Sequence, residues 1–179
     1  MPGDARFRWI VSTMGVRPSD RLLEIGPGSS DSIAEVAARL IDGYIVGVDR
    51  SPTAIARASK RHAAHIDSGR ASLVHAGLET LRPEQVGVDP GLVGSGFDKV
   101  FAVNVNLFWT KRPTAELDLI RQLLRPNGAL YLFYGYGSPV GGSASSPKPA
   151  PGKLIEHLAD AGFHTRTRTS GDLLAVIAT

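Results

Sequence analysis

A carboxylate set just ahead of a glycine turn invites a charged or hydrogen-bonding ligand. In LLEIGPGSS, Leu22 to Ser30, Glu24 precedes Gly26, Pro27 and Gly28. Gly26 and Gly28 satisfy the first two positions of G-x-G-x-x-G, where the missing side chain permits a tight turn and lets the backbone approach a ligand. The third glycine is replaced. Ser29, Ser30 and Asp31 follow instead, types that suit the capping of a helix better than close packing against a strand. A second acid, Asp49, ends the run YIVGVD. It stands about 20 residues beyond the turn, the interval at which a neighbouring parallel strand brings a carboxylate to ribose hydroxyls. Ser51, followed by Pro52 at the first helical position, caps the next helix and leaves Asp49 for a ligand. A pyrophosphate at the helix amino terminus would be repelled by Glu24, so of the two acids it is Glu24 that disfavours a dinucleotide. They suit a nucleoside that carries cationic groups and no phosphate.

Bringing Glu24 and Asp49 to one ligand requires adjacent parallel strands, and the hydrophobic pattern supplies them. Apolar runs at Leu22 to Ile25, Tyr44 to Val48, Ser72 to His75, Lys99 to Val103 and Ala129 to Tyr134 alternate with helical periods at Asp31 to Ile41, Thr53 to Ile66 and Thr114 to Leu124. Such repeats indicate βαβ units, because parallel neighbours need a helical crossover. A leading helix within residues 1–19 places Phe7, Ile10, Val11 and Met14 at helical spacing and is closed by Gly15 and Pro18. The crossover from Glu79 to Phe97 is too rich in Gly and Pro for more than a short helix. Gly135 to Gly152, GYGSPVGGSASSPKPAPG, defeats regular structure for the same reason, so a flexible loop is expected over 135–152. A short helix from Lys153 to Ala161 stops at Gly162, and two strands joined by Ser170, Gly171 and Asp172 form a closing hairpin. Arg166 and Arg168, alternating with threonines, suit its solvated edge strand. The expected fold is α/β: a doubly wound, mostly parallel sheet with an antiparallel C-terminal hairpin and helices on both faces, in one domain over 1–179.

Composition narrows the partners. The 179 residues hold 20 Lys and Arg against 17 Asp and Glu, a net charge of only +3, with no block of like charges. A nucleic-acid partner is therefore not implied. The absence of cysteine excludes disulfides, thiolate metal sites and a cysteine nucleophile. No metal site is expected. No apolar run approaches the ~18 residues that cross a bilayer, and MPGDARFRW lacks the basic-then-apolar order of a signal peptide. No membrane partner and a cytoplasmic location are the expectation.

Taken in order, these segments resemble the class I S-adenosylmethionine-dependent methyltransferases from Asp20 onward. LLEIGPGSS is similar to the family's first motif, an acid followed by G-x-G, with Ser30 in place of a frequent third glycine. VGVDRSPTAIARASKRH resembles the second, LVHAGLETL the third, FDKVFAVNVNLFW the fourth and LLRPNGALYLFY the turn and fifth strand. The resemblance implies a seven-stranded sheet of order 3-2-1-4-5-7-6, with S-adenosylmethionine as cofactor over the carboxyl ends of the strands. It implies Glu24 facing the methionine end, Gly26 and Gly28 admitting the backbone to the ligand, and Pro27 stiffening the turn. Asp49 would take the ribose hydroxyls and Arg50 would lie beside the adenine. Gly77 and Leu78 would flank and cover that ring, with Glu79 standing where many members have a small residue. Asn104 would lie near the methionyl part.

Methyl transfer from a cationic sulfur depends mostly on alignment and desolvation, so no dedicated catalytic residue is obligatory. If the acceptor must lose a proton, His62, His65, His75 and Tyr134 are conceivable bases, although His62 and His65 fit a solvated helix face and His75 a strand end. Asn104 to Pro113, the leading helix and the 135–152 loop should wall the acceptor, with Phe108 and Trp109 as apolar candidates. Asn104 is not followed by the Pro-Pro-aromatic sequence of amino-methylating DNA enzymes. A small-molecule acceptor is expected. RNA methylation, nicotinamide-dependent oxidoreduction and non-catalytic cofactor binding stand as alternatives.

Overall fold

Side chains alternate across a strand, so each strand of a doubly wound sheet must be apolar on both faces. In β1 (Arg21–Ile25), Leu22 faces one layer of helices while Leu23 and Ile25 face the other, and all three are buried. The computed structural model, which describes residues 2–140 and 148–179, repeats this alternation in β2 (Tyr44–Asp49), β4 (Phe97–Val103) and β5 (Leu124–Tyr134) around β1, with β3 (Ala71–His75) beside β2. With β6 (Thr165–Ser170) and β7 (Leu173–Ala178) these form a seven-stranded sheet ordered β3-β2-β1-β4-β5-β7-β6. Strands β1 to β5 run parallel, while β7 is antiparallel to both β5 and β6. Sheet order and closing hairpin are those the sequence leads one to expect, and Arg166 and Arg168 sit exposed on the edge strand β6.

Seven helices flank the sheet among the described residues: α1 (Pro2–Met14), α2 (Ser32–Ala37), α3 (Pro52–Arg61), α4 (Ala63–Asp67), α5 (Leu107–Thr110), α6 (Thr114–Leu123) and α7 (Pro151–Asp160). Phe7, Ile10, Val11 and Met14 of α1 join Ile33, Val36 and Ala37 of α2 in the core of one face. On the other face Phe108, Leu117, Ile120, Leu154 and Leu158 of α5 to α7 fill the second core. The first crossover helix is shorter than its periodicity suggests, ending at Ala37 rather than Ile41. The reason is tertiary: the N–H groups of Ile41 and Gly43 both donate to the Pro18 carbonyl at 2.9 Å, drawing the chain off the helix axis toward β2 and leaving Ile41 72% exposed. The helix expected over Thr53 to Ile66 is broken at His62, whose φ of −107° and ψ of 18° end α3 and start α4. His62 is thereby turned inward, to 2% exposure, instead of lying on a solvated face. Between Glu79 and Phe97 a single turn of 3-10 helix, Pro83–Val86, interrupts irregular chain.

Residues 141–147 of the expected flexible loop lie outside the described residues. Its described ends are held against the β6–β7 turn, where the Gly137 N–H donates to the Asp172 carboxylate at 3.1 Å and the Ser170 hydroxyl donates to the Pro139 carbonyl at 3.1 Å. Lys148 pairs with Asp172 at 2.5 Å. At the amino ends of the strands, charges serve structure. Asp98 accepts the Arg21 N–H at 2.8 Å and the Arg125 guanidinium at 2.9 and 3.0 Å. Burial alone would raise the Asp98 carboxyl, yet these donors hold it below the ordinary carboxylate range. Lys99 is buried against Asp20. The carboxyl ends are left to carry the cleft. No helix of the described residues is long and apolar enough to cross a membrane.

Candidate active site

The glycine turn is built from β1 outward. The Gly26 N–H donates to the Val48 carbonyl at 2.8 Å, which extends the β1–β2 ladder by one residue before the chain turns. Gly26 and Gly28 then take φ of 67° and 56°, the left-handed region that side chains disfavour. A Cβ on Gly26 would stand 3.1 Å from Val105 Cγ2, so a side chain here would also crowd the segment after β4. Asp49 fixes the turn from the neighbouring strand: its Oδ2 accepts the Gly28 N–H at 3.1 Å and its Oδ1 the Ser51 N–H at 2.9 Å. Ser51 caps α3 as its sequence suggests, accepting the Ala54 N–H at 3.2 Å. Asp49 is therefore not left free by that cap, since each oxygen already holds a backbone N–H. A carboxylate offers about four acceptor positions, so half of its capacity remains for hydroxyls in the cleft.

Two cavities that share Gly26 in their linings lie over the carboxyl ends of β1, β2 and β4. The first, about 490 Å³, is bordered by Asp49, Arg50, Gly77 and Leu78, with Val105 and Leu107 across from them in sequence. The second, about 440 Å³, is bordered by Gly26, Pro27, Gly28 and Asn104, and by Arg6 and Tyr136. Every cofactor-binding residue nominated from the sequence except Glu24 borders one of the two. Asn104 sits at φ 56°, a conformation that asparagine tolerates better than most residues. Its side chain grips the backbone of Gly135 in both directions: Oδ1 accepts the Gly135 N–H at 2.9 Å and Nδ2 donates to the Gly135 carbonyl at 3.1 Å. Asn104 thus ties together the ends of β4 and β5 that frame the second cavity.

Glu24 lies behind the turn instead of in front of it. It is 0% exposed and accepts the Ser32 hydroxyl at 2.5 Å, and Ser32 is in turn hydrogen bonded to Ser30, which borders the second cavity. Burial pushes the Glu24 carboxyl up to about 8, with Ser32 opposing and the charge of Asp49 adding to the rise. Near neutral pH it is protonated in the ligand-free protein. The carboxylates that border the first cavity are Asp49 and Glu79.

None of the four nominated bases borders either cavity. Tyr134 is 2% exposed and donates its hydroxyl to the Val105 carbonyl at 3.2 Å, while burial raises its pKa well above the ordinary phenol range. His62 is buried beside Ser30, and desolvation lowers its pKa. His65 lies on α4, and exposed His75 hydrogen bonds the Arg50 carbonyl at 3.1 Å. Phe108 is not an acceptor wall: it is fully buried, and its carbonyl meets His157 Nδ1 at 3.1 Å beneath α7. The walls are instead Val105 and Leu107 on the first cavity and Phe7 and Tyr136 on the second. Arg6 drew no notice in the sequence because it is one polar residue beside the apolar stripe of α1; only the docking of α1 across the sheet brings it to the cleft.

Comparison with known proteins agrees with this geometry. Residues 23–130 match the methyltransferase domain family. The chain belongs to that family, and its sheet is that of the class I S-adenosylmethionine-dependent methyltransferases, for which S-adenosylmethionine is the cofactor. It is 25% identical over 121 residues to the uncharacterized methyltransferase YdaC of Bacillus subtilis, covering 68% of this chain and 59% of that protein. The chain therefore spans less than two thirds of that relative's length. A S-adenosylmethionine-dependent methyltransferase from Aquifex aeolicus superimposes with a TM-score of 0.75 at 13% identity, over 96% of this chain and 88% of its own. The precorrin-6y C5,15-methyltransferase of Geobacter metallireducens does so with a TM-score of 0.65 at 16% identity, over 97% and 86%.

Proposed function

We propose that the protein transfers a methyl group from S-adenosylmethionine to a small-molecule acceptor. The observation that carries this reading is Asp49, whose carboxylate ends β2, borders the first cavity and keeps acceptor capacity beyond its two backbone bonds. The donor set suits the cofactor: Leu78, Ile25 and Val48 offer apolar cover for adenine, Asp49 offers acceptors for ribose, and Gly26 borders both that space and the second cavity. When bound, S-adenosylmethionine supplies a methyl group on a cationic sulfur that is already activated to leave. The chain's own residues then orient and desolvate: the turn holds its backbone in place through Asp49, Asn104 fixes the frame of the second cavity, and Phe7 and Tyr136 wall it.

A second cavity of about 440 Å³ supports a small acceptor, as does the modest net charge of +3. The absence of the nominated histidines from both cavities favours an acceptor that brings its own available lone pair over one that must be deprotonated by the protein. Nicotinamide chemistry is disfavoured by family membership and by the antiparallel β7 between β5 and β6. RNA methylation and cofactor binding without turnover are separated from the proposal by an acceptor panel. A cytoplasmic location is part of the same reading. Titration calorimetry tests its foundation: S-adenosylhomocysteine is expected to bind one site per chain and NADH to produce no heat. Binding of NADH in place of S-adenosylhomocysteine would overturn it.

A further inference from the structure

Arg6 borders the second cavity from α1 and is the sole Lys or Arg that does so among the described residues. Its guanidinium carbon lies 4.6 Å from the ring centroid of Phe7 and 5.8 Å from that of Tyr136, so aromatic faces flank it. Among the described residues its Nε–H is buried without a hydrogen-bond acceptor, and no acid forms an ion pair with it. Asp31, the acid that borders the same cavity, is already engaged by Arg61 Nη1 at 2.7 Å. Partial burial lowers the Arg6 pKa, with the nearby Tyr136 opposing. A guanidinium donor withdrawn from water and left unmatched is unfavourable, and an anion entering the cavity would relieve it. The planar fork of arginine matches a carboxylate in particular.

We propose that Arg6 receives a carboxylate of the ligand that occupies the second cavity. Two sources carry that group: the methionine end of the cofactor, a version that rests on the proposed function, and an acid group on the acceptor. Three probes separate them. S-adenosylhomocysteine has the nucleoside and the amino-acid carboxylate, 5′-methylthioadenosine has the nucleoside alone, and acetate has the carboxylate alone. Binding is measured by calorimetry on the wild-type protein and on Arg6→Gln, with melting temperature as the folding control, while the ¹⁵N-detected Nε–H resonance of Arg6 follows the residue itself in the wild-type protein.

If the cofactor is the source, Arg6→Gln weakens S-adenosylhomocysteine about 10- to 100-fold and methylthioadenosine less than about twofold, as loss of one charge-assisted hydrogen bond requires. The Arg6 resonance then moves with the first ligand and not with the second. If the acceptor is the source, the substitution spares both nucleosides, and acetate moves the resonance in protein saturated with S-adenosylhomocysteine, whereas chloride at equal ionic strength does not. Equal or absent effects on both nucleosides, together with a resonance that ignores acetate with and without S-adenosylhomocysteine, overturn the proposal. Failure of the methyltransferase reading looks different: neither nucleoside binds the wild-type protein, and the response of Arg6 to acetate in ligand-free protein still decides the inference.

Discussion

Asp49→Ala is expected to weaken S-adenosylhomocysteine binding by at least about 100-fold while leaving the protein folded, since each hydrogen bond to a charged group is worth about 1.5–3 kcal/mol and every 1.4 kcal/mol is tenfold in affinity. Two losses combine. The proposed ribose acceptor disappears, and the N–H groups of Gly28 and Ser51 lose the carboxylate that holds the turn in register with β2. Folding survives because Asp49 ends its strand and is only partly buried, outside both hydrophobic cores. Ser51→Ala serves as the control. It removes the α3 cap at a cost of about 1 kcal/mol, disturbing the same corner without touching the ligand, and should keep affinity within a few-fold. Calorimetry and melting temperatures of the two variants, read together, separate the roles. Wild-type affinity in Asp49→Ala would refute the ribose assignment.

The second large effect originates behind the turn. In the folded chain Glu24 keeps its proton up to about pH 8, whereas in the unfolded chain it loses it near its ordinary value of 4.5. Between those values the folded state binds more protons than the unfolded state. Stability should therefore be greatest at the acid end of this window and fall as pH rises, with a slope of up to about 1.4 kcal/mol per pH unit from this group, and level off above its folded pKa. Glu24→Gln removes the titration and should abolish that component of the decline, so the variant gains on the wild type progressively toward alkaline pH. Urea unfolding of both proteins at about pH 5, 6.5 and 8 measures it. Parallel stability curves would show that Glu24 titrates normally and that the pocket behind the turn is wetter than its burial implies.

Much of this architecture could be read from residue pattern because it rests on local rules. The strands show as apolar runs, the parallel order follows from their crossovers, and the Ser51–Pro52 start of α3 is a local capping signal that the structure reproduces. The place of Asp49 at a strand end and of Gly26 and Gly28 in a turn is legible because strand ends and turns dictate residue type at fixed offsets. What escaped the sequence depends on packing between distant elements. The face of β1 that Glu24 occupies is covered by α2, and that contact, not the proximity of Glu24 to the turn, decides that its carboxyl is buried against Ser32. His62 looks like a surface residue in an amphipathic helix until the chain breaks at that position and turns it inward beside Ser30. Phe108 and its neighbour Leu107 differ by one residue in sequence, yet one fills the core under α7 and the other borders the first cavity.

The most direct measurement is a crystal structure of the protein with S-adenosylhomocysteine. Density for the adenosine should lie in the first cavity, with ribose hydroxyls on the Asp49 carboxylate and the adenine against Leu78, and the amino-acid chain should pass Gly26 into the second cavity. Nucleoside density away from the carboxyl ends of β1 and β2, or a ribose that does not touch Asp49, would contradict the account.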